Sequence, residues 1–114
     1  MSLAEKAKRL ANARPELIVD LKIYPTAQGG RVSPIEPGWG SPCTVQSERG
    51  SGWIGYDGWP LLDKPMVPGE ARRVGYVFLS GKEAADHLRS AGKFYILEGG
   101  IIGEAAIVDG KNSD

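Results

Sequence analysis

Cys43 and His87 are the residues whose types could support covalent chemistry, and each is the single representative of its type in the 114-residue chain. A cysteine acts as a nucleophile when a histidine accepts its proton, provided that the two side chains come within hydrogen-bond distance. No catalytic signature surrounds either residue. A small Cys-based enzyme that uses this pair is therefore an alternative. The favoured expectation is a buried Cys43 and a His87 on the surface of a helix.

Metal and acid–base chemistry find little support in the other residue types. One cysteine and one histidine cannot complete the four-ligand set of a structural zinc site, and a lone cysteine cannot form an internal disulfide. Asp63, Glu83 and Asp86 could form paired carboxylates, but acidic side chains mostly lie on solvated faces. We therefore predict no catalytic residue, no metal site and no cofactor.

Gly29, Gly30 and Arg31 form the sharpest local feature of the sequence. Backbone amides and a guanidinium group in such a segment could bind a phosphate or an acidic partner. The competing interpretation is a tight turn that requires positive φ angles, with Arg31 holding the surrounding loop in place. The second interpretation is favoured, and the three residues are kept as candidate binding residues.

Trp39, Trp53 and Trp59 lie in or beside glycine-rich segments, together with Tyr24 and Tyr56. Exposed aromatic side chains on loops would form a surface for protein binding or for base stacking. Alternatively, they fill one end of the fold and cover its long loop. Packing is favoured for each, and most strongly for Trp53, which falls within a predicted strand. Trp39 and Trp59 complete the set of candidate binding residues.

The composition indicates a globular, mostly β protein. Hydrophobic residues make up 41% and charged residues 25%, whereas 16 Gly and 8 Pro are too many for a helical bundle. Fourteen basic residues balance fourteen acidic ones, which argues against a dedicated nucleic-acid-binding protein. Neither a secretory signal nor an apolar run of about 20 residues is evident, so we expect a cytoplasmic protein without membrane contact.

Two helices are predicted from capping signals. Ser2 and Glu5 have capping-box spacing, so residues 2–14 are predicted to form a helix that Pro15 ends. The predicted organisation is an N-terminal helix over residues 1–14 and one further domain over residues 15–114. Within that domain a second helix is predicted over residues 81–91, begun by a capping box of Ser80 and Glu83 and ended by Gly92.

The remaining elements are short strands separated by glycine- and proline-rich turns. Residues 17–24 show the clearest alternation of apolar and polar side chains, and residues 25–42 are predicted to form a long irregular loop. Further turns are predicted at residues 49–52, at Asp57-Gly58 and at Glu98-Gly99-Gly100. Strands are predicted at residues 17–24, 43–47, 53–56, 72–79, 93–97 and 102–108. Six short strands with such loops predict a closed barrel or a sandwich.

Three blocks in this order resemble the third, C-terminal domain of elongation factor Tu. Residues 24–34 (YPTAQGGRVSP) are similar to the segment LPTEEGGR-x-x-P that opens that domain. Residues 66–70 (MVPGE) are similar to its MVMPGD turn, and residues 94–108 are similar to FAIREGGRTVGAGVV. The resemblance covers about residues 17–109, and its first block is the most specific. It implies an all-β fold, a six-stranded antiparallel closed barrel.

The resemblance also implies a function without chemistry. In the family this barrel contacts the backbone of aminoacyl-tRNA, the GTPase domain and the exchange factor. The present sequence lacks the motifs GxxxxGK[ST] and NKxD. One family arginine is replaced by Leu97, a second is replaced by Ile101 or lost in a turn one residue shorter, and Arg31 is retained. We therefore expect a non-catalytic binding module whose partner is a protein, with tRNA or another RNA as the alternative.

Overall fold

The computed structural model describes residues 2–47 and 52–108, and these residues form six strands and two α-helices. The strands close into an antiparallel barrel, as predicted. Residues 49–51 of the turn predicted at residues 49–52 lie outside the described residues, as do residues 109–114. The elements are α1 (Leu3–Leu10), β1 (Leu17–Ile23), β2 (Ser41–Gln46), β3 (Trp53–Pro60), β4 (Ala71–Phe78), α2 (Lys82–Ala91), β5 (Lys93–Leu97) and β6 (Ile101–Ile107).

The order of strands around the barrel is β1-β4-β3-β2-β5-β6, with β6 pairing back onto β1. Three pairs, β2 with β3, β3 with β4 and β5 with β6, are consecutive in the chain. β1 lies between strands from much later in the chain, with Leu17 opposite Tyr76 of β4 and Val19 opposite Ile107 of β6. Because the six described strands close into a barrel, the sheet they form has no free edge strand. Free edge strands are the usual sites of unwanted strand pairing.

The barrel interior is filled by alternate side chains of the strands. Leu17, Val19, Leu21 and Ile23 of β1 are all buried, as the alternating pattern predicts. Three aromatic side chains belong to the same core, with ring centroids of Tyr76, Phe78 and Phe94 between 5.3 and 6.2 Å apart. The stacked and edge-on arrangements of these rings are the favoured ones for aromatic pairs.

The long loop of residues 25–42 is anchored by its own side chains rather than extended into solvent. A short 3₁₀ helix forms over Thr26–Gln28. Ile35 forms an isolated antiparallel bridge with Met66, and both side chains are fully buried. The loop is therefore part of the core, which fixes the positions of the candidate binding residues that it carries.

Both helix predictions need correction at one end. The Ser2–Glu5 capping box is present, but α1 ends at Leu10 and not at Pro15, because Glu16 already donates its backbone N–H to Tyr76 as the chain joins the barrel. α2 ends at Gly92 as predicted. Its start is different, since Gly81 is the N-cap and no side chain caps the helix, so the predicted Ser80 capping box is wrong. Neither described helix is long and apolar enough to span a membrane.

The largest correction among the strands concerns β3. The predicted turn at Asp57-Gly58 is wrong, because β3 runs without interruption from Trp53 to Pro60. A Cβ atom on Gly58 would lie 2.8 Å from the Phe78 ring and 2.9 Å from Cys43 Sγ. This glycine therefore permits close packing inside the barrel and does not mark a change of direction. The other strand boundaries agree with prediction to within two residues.

Candidate binding surfaces

The two glycines of the Gly-Gly-Arg segment have structural roles. Gly29 has a φ of 89°, the left-handed conformation that favours glycine. A Cβ atom on Gly30 would lie 2.1 Å from the carbonyl oxygen of Tyr24, so a side chain has no room there. The segment is a tight turn folded back on Tyr24, which agrees with the favoured interpretation.

Arg31 is bound to its own loop. Its Nε donates to the Ser33 carbonyl (3.2 Å) and its Nη2 donates to Ser33 Oγ (3.2 Å) and to the Pro34 carbonyl (3.4 Å). Its Nη1 donates to Glu98 Oε2 at 3.1 Å, forming an ion pair, and the Arg31 side chain is 18% exposed. Most of the guanidinium donors that an anion would require are therefore already used within the chain.

Trp39 joins the same cluster. Its indole Nε1 donates to Glu98 Oε2 (3.2 Å), and the Arg31 guanidinium lies 5.5 Å from its ring centroid. The ring is half-buried and packs against the core. The structure thus brings together the predicted residues Arg31 and Trp39 around Glu98, which sequence reasoning assigned only to a turn. The position of Glu98 beside Gly99 and Gly100 predicts a turn, but it does not predict which residues the Glu98 carboxylate contacts.

Replacing Arg31 by lysine is expected to lower the free energy of unfolding by about 1–2 kcal/mol, because an ammonium group cannot reproduce the fork of donors that joins Ser33, Pro34 and Glu98. Urea unfolding at neutral pH measures the change. Arg73→Lys is the matched control, since Arg73 pairs with Asp20 on the exposed surface and its loss is expected to shift the midpoint very little. Equal shifts for both variants would show that Arg31 does not hold the loop.

Trp59 lies apart from that cluster, beneath α1. Its ring is half-buried, and Lys6 Nζ lies 4.1 Å from the ring centroid. The ring also lies against Gly40, where a Cβ atom would come within 2.3 Å of the indole. Trp59 is therefore a candidate binding residue that contacts a side chain of α1.

Cys43 and His87 each have a different neighbour. The Cys43 thiol is fully buried, contacts the Ser41 carbonyl at 3.7 Å, and has its pKa raised by burial. Such a shift suppresses the thiolate that a nucleophile requires. His87 lies on α2 as predicted, half-buried, with Nδ1 2.7 Å from Tyr56 Oη. The geometry gives neither residue the environment of a catalytic pair.

Two of the three candidate carboxylates, Asp63 and Asp86, engage basic side chains. Asp86 pairs with Lys82 and with Arg89, and the hydrogen bond from Lys82 lowers the pKa of the Asp86 carboxyl. Asp63 lies 3.6 Å from Arg72. Among residues 2–47 and 52–108, no three Cys, His, Asp or Glu side chains are grouped so that they could hold a metal ion.

An apolar groove lies on the outer wall of the barrel, and we call it the outer groove. Its floor is Thr44, which is buried although it points away from the barrel interior, and the groove has a volume of ≈ 250 Å³. Trp53 is 54% exposed and Ile101 is 39% exposed. The lining residues are Thr44, Trp53, Leu97 and Ile101. The expectation that Trp53 packs into the fold is therefore wrong.

No family model matches the chain, and neither does any curated protein. The resemblance of three sequence blocks to elongation factor Tu therefore stands on those blocks alone.

The strand register explains how the outer groove forms. Thr44 of β2 lies opposite Gly55 of β3 and opposite Tyr95 of β5. Because Gly55 has no side chain, Trp53 can lie over Thr44 and meet the Tyr95 ring edge-on at 5.9 Å. The signal was present in β3, where Ile54 and Tyr56 face the core, so that Trp53 must face outward. The mistaken turn at Asp57-Gly58 hid that alternation.

Proposed function

We propose that this protein is a non-catalytic binding module of the cytoplasm that binds a protein partner through the outer groove. The resemblance to the third domain of elongation factor Tu supports a connection with translation. The observation that carries the proposal is the almost entirely apolar surface formed by the exposed Trp53 and Ile101 and the half-buried Leu97. Apolar pockets lined by tryptophan are typical centres of protein–protein interfaces.

The dimensions of the outer groove favour a peptide side chain over a larger ligand. Its ≈ 250 Å³ is smaller than the pockets that usually hold drug-sized molecules and is suited to one large apolar side chain. Thr44 at the floor has its hydroxyl bonded to the Tyr95 carbonyl at 3.3 Å, so the floor offers little polarity to a ligand. A partner that inserts a leucine, phenylalanine or tryptophan fits these properties.

An RNA partner is the weaker alternative. Leu97 stands where the resembling family has an arginine, and the half-buried Leu97 and the exposed Ile101 make this part of the surface apolar. Arg31, the arginine that the resemblance retains, is bound to Glu98 and to its own loop. RNA recognition depends on basic side chains that contact phosphates. Both features reduce the number of such side chains on this side of the barrel.

Replacing Trp53 by serine is expected to weaken partner binding by about thirtyfold or more, the effect of losing the central side chain of an interface. The immobilised wild-type chain is used to capture partners from a lysate, and the Kd of each purified partner is then measured for both chains. Leu79→Ser is the matched control, because Leu79 is 73% exposed and lies outside the outer groove. Capture that is equally lost, or equally kept, in both variants contradicts the proposal.

A tRNA titration decides between the two partner classes. We expect no binding of aminoacyl-tRNA or uncharged tRNA at low or physiological salt. Tight binding at low salt that weakens steeply as salt is added would instead support the RNA alternative.

A further inference from the structure

Although every strand of the barrel has two neighbours, β3 is longer than its pairing with β4. That pairing joins residues 58–60 of β3 to residues 76–78 of β4, and a turn over residues 79–81 follows. A Cβ atom on Gly81 would lie 3.5 Å from a Glu16 carboxylate oxygen, and Glu16 pairs with β4 from the side of β1. The chain thus turns away from the first half of β3 and leaves one edge of that half open.

The main-chain groups of Trp53 and Gly55 point toward this edge. Leu79 donates its backbone N–H to the Asp57 carbonyl oxygen, so the main chain of Asp57 faces β4. Alternate residues of an antiparallel strand direct their main-chain groups to the same side, and Gly55 and Trp53 precede Asp57 by two and four residues. Among the residues that the structure describes, no partner is found for either main chain at this edge.

The same edge is accessible to solvent. Gly55 has no side chain, so the exposed surface of this residue belongs to its main chain. Unpaired N–H and C=O groups along a strand are a template for the pairing of another strand. A strand added here lies on the side of β3 that faces away from Thr44 of β2, so it does not enter the outer groove.

The side chains beside the edge favour a basic segment. Trp53, Gly55 and Asp57 share the outer face of β3, and both Trp53 and Asp57 are exposed. Asp57 forms no ion pair with the part of the chain that the structure describes. Because Gly55 carries no side chain, a long basic side chain placed opposite it can reach the Asp57 carboxylate along a diagonal of about 7–8 Å.

We propose that this open edge, formed by the main chain of Trp53 and Gly55, binds an extended segment of a partner protein as an added antiparallel strand. The segment places lysine or arginine opposite Gly55 and, two residues later, an apolar side chain opposite Trp53. Main-chain hydrogen bonds hold such a strand, and its alternate side chains give the selectivity.

The test uses the isotopically labelled full chain and the end-blocked heptapeptide STKTVTS, which carries a basic and an apolar residue in that order. Amide chemical shifts are followed as the peptide is added. We expect shifts centred on the Trp53 and Gly55 amides, and at least about threefold weaker binding of STETVTS, in which glutamate replaces the lysine beside Asp57. Asp57→Lys is expected to reverse this preference between the two peptides.

Gly55→Pro and Gly55→Ala form a matched pair for the main-chain contact. Proline removes the N–H that faces the edge and is tolerated at such positions, whereas a Cβ atom on Gly55 meets Thr44 at an ordinary contact distance of 3.4 Å. We expect Gly55→Pro to lose peptide binding and Gly55→Ala to keep it, with circular dichroism confirming that both are folded. If Gly55→Pro does not fold, the reversal expected for Asp57→Lys decides.

Three results overturn the proposal. They are an unshifted Gly55 amide with about 5 mM peptide, equal binding by folded Gly55→Pro and Gly55→Ala, and a peptide preference that Asp57→Lys leaves unchanged. Shifts confined to Leu97 and Ile101 count with the first of these, because they place the peptide in the outer groove. The outer groove is tested separately by Trp53→Ser, so either site can fail without the other.

Discussion

Phe94→Ala is expected to lower the free energy of unfolding by about 3–5 kcal/mol, the usual effect of emptying a phenylalanine site in a core. Phe94 is fully buried on β5 and meets the rings of Tyr76 and Phe78 edge-on. Those two rings belong to β4, on the opposite side of the strand order from β5. Replacing Phe94 by alanine therefore removes a contact between β5 and β4 on opposite sides of the barrel. The surrounding strands cannot close the resulting cavity without losing their register.

Chemical denaturation followed by tryptophan fluorescence measures the effect. Leu79→Ala is the matched control, because Leu79 is 73% exposed and its truncation is expected to change the free energy of unfolding by less than about 0.5 kcal/mol. A loss for Phe94→Ala as small as that for Leu79→Ala would contradict the placement of Phe94 at the centre of the barrel.

Gly103→Ala is expected to lower the free energy of unfolding by about 2–3 kcal/mol through overpacking at the point where the barrel closes. Gly103 of β6 is buried between Ile23 of β1 and Ile96 of β5. A Cβ atom there would lie 2.5 Å from the carbonyl oxygen of Lys22, which belongs to the backbone and cannot rotate away. Accommodation therefore requires β1 and β6 to separate locally.

Gly100→Ala is the control for this substitution, since nothing lies within 4 Å of a Cβ atom at Gly100 and its φ is not positive. Thermal unfolding of the two variants side by side is expected to show a Tm below the wild-type value for Gly103→Ala. For Gly100→Ala we expect a Tm that is unchanged or slightly raised. If both variants had the wild-type Tm, the close packing of Gly103 of β6 against the backbone of β1 would be contradicted.

The parts of the fold that the sequence predicts well are those in which local patterns and tertiary packing agree. The alternation in residues 17–24 corresponds to β1 because every second side chain enters the barrel. Gly92 ends α2 in the left-handed conformation that a C-terminal glycine indicates. In these two segments the residue pattern is compatible with a single structure, a strand in the first and a helix end in the second.

Prediction failed where a residue type has two structural uses. Asp57-Gly58 resembles a turn, but Gly58 serves to admit the Phe78 ring, a contact between β3 and β4 that no local pattern contains. Ser80 resembles a helix cap, but the chain turns at Gly81, which has a positive φ. The first error comes from a contact with a neighbouring strand, and the second from a turn that falls one residue later than the capping pattern predicts.

The candidate site shows the same division. The turn at Gly29 and Gly30 and the loop-holding role of Arg31 follow from their residue types, whereas the carboxylate of Glu98 that binds Arg31 comes from a hairpin far along the chain. The outer groove was missed because Trp53, Leu97 and Ile101 come from three different strands. Their proximity depends on the order of strands around the barrel, which the sequence of one chain does not state.

That strand order has a consequence for folding kinetics. The β2–β3 and β5–β6 hairpins join neighbouring segments and can form early, whereas β1 pairs with β4 and β6 across most of the chain, as in Val19 with Ile107. Proteins dominated by such distant pairings fold slowly, typically in milliseconds to seconds. The reason is that the entropy of loop closure is lost before the distant contacts form and stabilise the chain. During synthesis β1 would thus wait for β6 to leave the ribosome, with the apolar side of β1 exposed to chaperones throughout that interval.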